Sequence, residues 1–171
     1  MSEGDEVSQA FLKNVTEKQT EKDVRDAGLR LIKYRMRSRN ELKTRLLQKG
    51  FSNSVVLKAL DWFEELKFID DVEFAKCFAN EKVRNKKIGA IALKADFFPH
   101  YLNADLVESV ISDVYKIMPE EDLIKQHLKK RRLSDLPSLS QKEMKKITDF
   151  LMRKGFRWDS IRNVFVEKGW V

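Results

Sequence analysis

Few side chains in this 171-residue chain could carry catalysis: the adjacent carboxylates Asp70 and Asp71, the single thiol Cys77, and the imidazoles His100 and His127. Two carboxylates that share acid–base work must face each other across a substrate. Neighbours on a helix diverge by about 100°, so Asp70 and Asp71 fit better as a cap and a first-turn charge at a helix start. Cys77 with His100 has the makings of a nucleophilic site. The run Phe74-Ala75-Lys76-Cys77-Phe78-Ala79 reads as helix core, however, and predicts a buried, inert thiol. Two isolated histidines give no metal-binding spacing. No glycine opens a Gly-x-x-x-x-Gly-Lys phosphate loop. The chain is therefore expected to act by binding, without catalytic residues, metal or cofactor.

The chemistry left is cationic. The chain has 34 Lys and Arg against 27 Asp and Glu, a formal charge of +7. The charge falls in alternating blocks: +8 over residues 25–58, −5 over 59–81, +4 over 82–101, −5 over 102–122 and +5 over 123–133. Two readings compete. Acids near helix starts and bases near helix ends complement the helix dipoles. Alternatively, basic helices line up along one side as a polyanion-binding stripe. On the second reading the contact residues are Arg30, Lys33, Arg37, Arg39, Lys43 and Arg45, then Lys82, Arg84, Lys86 and Lys87, then Lys129, Lys130, Arg131 and Arg132.

The elements that must position these residues recur along the chain. Ser38 and Glu41 make a capping box, Leu42, Leu46 and Leu47 one apolar face, and Gly50 a left-handed exit. Leu46-Leu47-Gln48-Lys49-Gly50-Phe51 aligns with Phe97-Phe98-Pro99-His100-Tyr101-Leu102 and with Leu151-Met152-Arg153-Lys154-Gly155-Phe156. Downstream, Val56, Val107 and Ile161 stay in step, as do Leu60, Ile111 and Phe165. Such units stack to bury faces that none could bury alone. The middle copy has Tyr101 where the others have glycine, so its corner is expected to be made differently.

The reading is all-α: a polar tail over 1–21, then three-helix repeats over 22–69, 70–117 and 118–171. In the first repeat, a helix over 22–37 should bury Val24, Ala27, Leu31 and Tyr34. Another over 54–67 should bury Val56, Ala59, Leu60, Phe63 and Leu66, with Trp62 at the core edge. The middle repeat reads as helices over 70–86, 89–98 and 102–115. In the last, a helix follows Pro119, residues 133–139 form a loop, and Ser140 with Glu143 opens a longer second helix. Trp158-Asp159 leads into a final helix ending near Gly169.

Six glycines and three prolines are too few for an all-β chain. One cysteine provides no disulfide framework. No apolar run approaches the roughly 20 residues of a membrane span, and the start lacks a signal-peptide pattern. A cytoplasmic location is expected.

Ser38-Arg39-Asn40-Glu41-Leu42, Leu46-Leu47-Gln48-Lys49-Gly50-Phe51 and Leu66-Lys67-Phe68-Ile69-Asp70-Asp71-Val72-Glu73-Phe74-Ala75 together resemble the RecX family of bacterial regulatory proteins. The last segment is similar to that family's Leu-x-x-x-(Ile/Leu)-Asp-Asp-x-x-Phe-Ala signature. The resemblance implies three tandem three-helix repeats in an elongated, curved array. It also implies a monomer, with no membrane attachment, that binds the RecA recombinase filament and contacts single- or double-stranded DNA more weakly. Such a protein would restrain RecA ATPase, recombinase and coprotease activity in homologous recombination, DNA repair and the SOS response. Where the family often has an Arg-x-Gly-x-Gly-Pro-like segment, this chain has Arg84-Asn85-Lys86-Lys87-Ile88-Gly89-Ala90, without the proline and one glycine. The residues alone leave open a basic helical regulator acting directly on DNA, or a purely structural scaffold.

Overall fold

The computed structural model describes residues 20–134 and 136–171. Residues 1–19 of the expected polar tail lie outside the described residues. Among the described residues there are helices and turns and no strand. Among the described residues, 20–74 belong to one compact unit and those from Ala75 to Val171 to a second.

In the first unit, α1 covers residues 20–34, α2 is Arg39–Gln48 and α3 Asn53–Glu65. Their core is Val24, Ala27, Leu42, Leu46, Val56, Ala59, Leu60 and Phe63, with Ile69 from the following turn. Gly28 lets α1 press against α3, since a Cβ there would come within 2.5 Å of the Phe63 ring. α1 stops at residue 34, three short of the expected end. The Arg37 side chain takes over, donating from Nε to the Leu31 carbonyl at 3.0 Å. Two expected core residues are corrected: Tyr34 and Leu66 are exposed because each falls at the frayed end of its helix. Trp62 lies partly buried at the core edge, beneath the Arg25 guanidinium 4.8 Å from its ring centre.

Ser38 caps α2 through the Glu41 amide (3.1 Å), and Gly50 leaves the helix at φ +91°. Asp70 caps α4 (Asp71–Lys86), accepting from the amides of Val72 and Glu73 at 2.9 and 3.1 Å. Its neighbour has a different job: Asp71 Oδ1 accepts the Arg39 amide at 2.7 Å, tying the start of α2 to the start of α4.

The second unit continues with α5 (Ala90–Phe97), a 3-10 turn (Phe98–His100), α6 (Ala104–Ile117), α7 (Glu120–Lys130), α8 (Gln141–Arg153) and α9 (Trp158–Glu167). One core runs through it, from Ala75, Ala79 and Val83 through Leu93, Phe97, Val110 and Val114 to Leu128, Leu151, Phe156 and Phe165. Cys77 corrects its sequence reading: it is exposed on α4, whose inward positions are Phe74, Ala75, Ala79 and Val83.

The middle corner also departs from expectation, since Tyr101 adopts the left-handed conformation (φ 49°, ψ 41°) that Gly50 and Gly155 adopt in the other copies. For a residue with a Cβ this costs about 1–2 kcal/mol. Pro99 is accommodated in the 3-10 turn, where an amide has no helical partner.

The α4–α5 connection is fixed by long-range bonds. The Lys87 carbonyl accepts from His127 Nε2 (2.7 Å), and the Ile88 carbonyl from the Tyr115 hydroxyl (2.7 Å). Burial, aided by the charge of Glu120, pushes the Tyr115 hydroxyl well above its ordinary value, so it stays a donor. The Gly89 amide donates to the Lys154 carbonyl and the Ile91 amide to the Gly155 carbonyl, both at 3.0 Å. Between them, the Ala90 amide donates to Glu120 Oε1 at 2.6 Å. The Ile88, Gly89 and Ala90 groups sit in buried residues, where leaving a polar group without a partner costs about 1–3 kcal/mol.

Candidate nucleic-acid interface

Three helices of the second unit end at one place. Asn85, Lys86 and Lys87 close α4, while Gln126, His127, Lys129 and Lys130 close α7. With Lys154, just past α8, they line an open cleft of about 610 Å³. No carboxylate lines it. The fold brings these residues together because α5 docks on the Lys154–Gly155 corner while the Lys87 carbonyl holds His127.

Each helix C-terminus carries about half a negative charge, so three of them offset about 1.5 of the five lysine charges. Dipole matching is real here but too small to account for the cluster. An excess of about three to four positive charges faces solvent.

His127 sits at the cleft wall with its ring edge-on to Phe150 and Phe156, centroids 5.4 and 5.7 Å away. Burial pushes its pKa below the ordinary histidine value, and Lys154, Arg131 and Lys87 reinforce this, against the opposing bond to the Lys87 carbonyl. The ring is therefore neutral at pH 7. Because the unfolded chain binds this proton more readily, the contribution of His127 to stability is full above about pH 6.5 and is lost as pH falls toward the folded-state value. Urea unfolding should accordingly show stability declining below about pH 6.5, with a smaller decline in His127→Gln. Equal declines in the two proteins would remove His127 as the cause.

The other cationic residues singled out from the sequence are placed as follows. Arg84 is exposed beside the cleft's α4 wall, and its carbonyl accepts from Lys87 Nζ at 3.3 Å. Lys82 lies outside the lining, bonded to Asp96 at 2.7 Å, with Lys86 at 3.9 Å from the same carboxylate. Arg131 stacks on Phe150, 3.8 Å from its ring centre, and Arg132 is exposed at φ 57°. In the first unit Arg30, Lys33 and Arg45 are exposed and Lys43 half-buried. Arg37 is 8% exposed and pairs with Glu41, while Arg39 is engaged by Asp61 (2.6 Å) and Glu64 on α3. The sequence reading missed Lys154. Its signal was available, since it occupies the position of Lys49 before the corner glycine of the first repeat.

Two family descriptions match the chain: RecX, first three-helix domain, over residues 25–63, and RecX, third three-helix domain, over residues 119–165. The regulatory protein RecX of Chlorobaculum tepidum is 30% identical over 137 residues, covering 80% of this chain and 82% of that protein. The regulatory protein RecX of Clostridium botulinum (strain Alaska E43 / Type E3) is 25% identical over 164 residues, covering 95% and 76%. Among solved structures, RecX from Lactobacillus salivarius superposes with a TM-score of 0.79 at 18% identity, covering 89% of this chain and 98% of that one.

Proposed function

Since this chain belongs to the RecX family of regulatory proteins, we propose that it binds the RecA–DNA filament and restrains RecA ATPase, recombinase and coprotease activity. On this reading the protein works by binding in homologous recombination and SOS repair, and has no catalytic role of its own. The observation that carries the reading, beyond family membership, is the carboxylate-free cleft of five lysines at the ends of α4, α7 and α8. Filament-bound DNA presents a row of phosphates, and a cationic excess of this size is suited to meet them. Lysine suits the task as a mobile point charge that needs no fixed geometry.

The test is RecA ATPase on single-stranded DNA with this protein titrated in, alongside its binding to bare DNA in the same buffer. Inhibition is expected well below one protein per recombinase, at concentrations where bare DNA is hardly bound. Inhibition only where the DNA becomes coated would instead establish a basic helical regulator acting on DNA directly. Lys129→Glu combined with Lys154→Glu should weaken DNA binding and flatten its logarithmic salt dependence by roughly 1.4–1.8 units, about 0.7–0.9 per lost phosphate contact. Helicity should be unchanged, because Lys129 is exposed on α7 and Lys154 stands just past the end of α8. An unaltered salt slope would take the cleft out of the interface.

A further inference from the structure

Tyr101 is held in a conformation that its two equivalents reserve for glycine. Lys67, Lys87 and Arg132 adopt it too, each with a polar side chain. Tyr101 instead carries a large aromatic side chain into solvent, 70% exposed. Phe98, three residues earlier on the same rigid corner, is 78% exposed, and the two ring centres lie 6.1 Å apart. With Leu102 and Lys94 they rim a shallow apolar cleft of about 310 Å³. Two large rings facing water on a backbone fixed by a 3-10 turn form a ready surface for flat, aromatic ligands.

What would lie there is decided by the neighbouring charge. Beneath the corner, Phe78 touches His100 (centroids 4.7 Å apart), and Lys82 Nζ lies 4.9 Å over the Phe78 ring. Phe78, Lys82 and Lys86 follow at four-residue intervals along one face of α4, spanning about 12 Å. Lys86 is itself a wall of the lysine cleft. Of the carboxylates near these lysines, Asp96 pairs with Lys82 at 2.7 Å and Glu108 with Lys94 at 2.6 Å, and Glu81 also acts on Lys82. Lys86, its side chain 57% exposed and only 3.9 Å from the already paired Asp96, is the positive charge that joins this face of α4 to the cleft within one compact unit.

We propose that Phe98 and Tyr101 form a base-stacking platform for single-stranded nucleic acid, whose backbone passes Lys86 into the lysine cleft. This rests on the reading that the cleft faces DNA, and specifies which form of it. Every unpaired base offers a face to stack, whereas bases in a duplex are covered by their neighbours, so only phosphate contacts remain there. The platform makes the protein a reader of strand state without reading sequence.

The test is fluorescence anisotropy with three labelled probes of equal length: oligothymidylate, an abasic strand and a duplex. The wild type should bind oligothymidylate at least about fivefold tighter than the abasic strand, as one stacked base is worth about 5- to 150-fold. Phe98→Ala with Tyr101→Gly should abolish that preference while leaving abasic and duplex binding unchanged. Its thermal midpoint should not fall, because glycine is what the other two corners use. Retained preference in the variant would overturn the platform, as would equal losses on all three probes. Unchanged bare-strand binding with weakened binding to a RecA-coated strand would overturn it too, and assign the rings to a protein contact. Failure of the underlying reading is separable, since Lys129→Glu with Lys154→Glu would then leave all three probes unaffected.

Discussion

Gly155→Ala is expected to destabilise the second unit by about 3–5 kcal/mol, or to prevent it from folding. A Cβ at this position would lie inside contact distance of the Ala92 backbone nitrogen and side chain, and 2.8 Å from the Ala92 Cα. Those atoms belong to the first turn of α5 and cannot swing away as the tip of a long side chain could. Backing α5 off would break the Gly89–Lys154 and Ile91–Gly155 backbone bonds together. The left-handed φ of +82° adds its own cost. Gly89→Ala should be comparably damaging, because its Cβ would strike the Gly155 carbonyl from the other side. Gly50→Ala is the control: the same left-handed turn with nothing within 4 Å, and an expected cost of only about 1 kcal/mol. Urea unfolding of the three variants separates close approach from conformation. A Gly155→Ala loss no larger than that of Gly50→Ala would show that the crossing is not tight.

Glu120→Ala is expected to lose about 2–4 kcal/mol. The carboxylate is 3% exposed, accepts the Ala90 amide through Oε1, and through Oε2 the Arg157 amide at 3.3 Å, with Arg157 Nε at 3.7 Å. It therefore serves the N-termini of α5 and α9 while standing in the first turn of α7. Three positive helix ends meet one negative charge, the inverse of the lysine cleft at the other end of α7. Glu120→Gln keeps an acceptor for Ala90 but no charge, and should fall between wild type and alanine. Since the group is buried, its contribution should persist at high salt, where contacts in the open cleft fade. Unfolding midpoints for the two variants at low and high salt would decide it. A Glu120→Ala loss below about 1 kcal/mol would mean that water replaces the carboxylate.

Local signals in the sequence carried over well into structure. Ser140 and Glu143 make the reciprocal capping box their spacing predicts, and α8 has 13 residues against 10 in α2, as the longer interval implied. Gly50 and Gly155 mark left-handed corners for the reason glycine is used there. What was hidden depends on partners far along the chain. Glu120 reads locally as one of three first-turn acids, and only the fold reveals that it is buried among other helices. Arg37 counts toward a basic block, yet its guanidinium is spent on Leu31 and Glu41. Cys77 failed for a finer reason: the run around it is apolar, but a helix turns 100° per residue and Cys77 falls on the outer side. The cleft was legible by halves. Both lysine clusters were visible, but not that α4 and α7 end side by side.

The two carboxylates at helix starts have a consequence for how this protein is made. Asp71 accepts an amide 32 residues earlier in the chain, and Glu120 one 30 residues earlier, in each case at the first position of a helix already emerged. A ribosome adding about 5–20 residues per second reaches that acceptor roughly 2–6 s after the helix it serves. Until then the helix start is left to water and to whatever binds nascent chains. Asp71 and Glu120 thus each lock a helix translated before them, while Glu120 also waits for the Arg157 amide at the start of α9, translated after it.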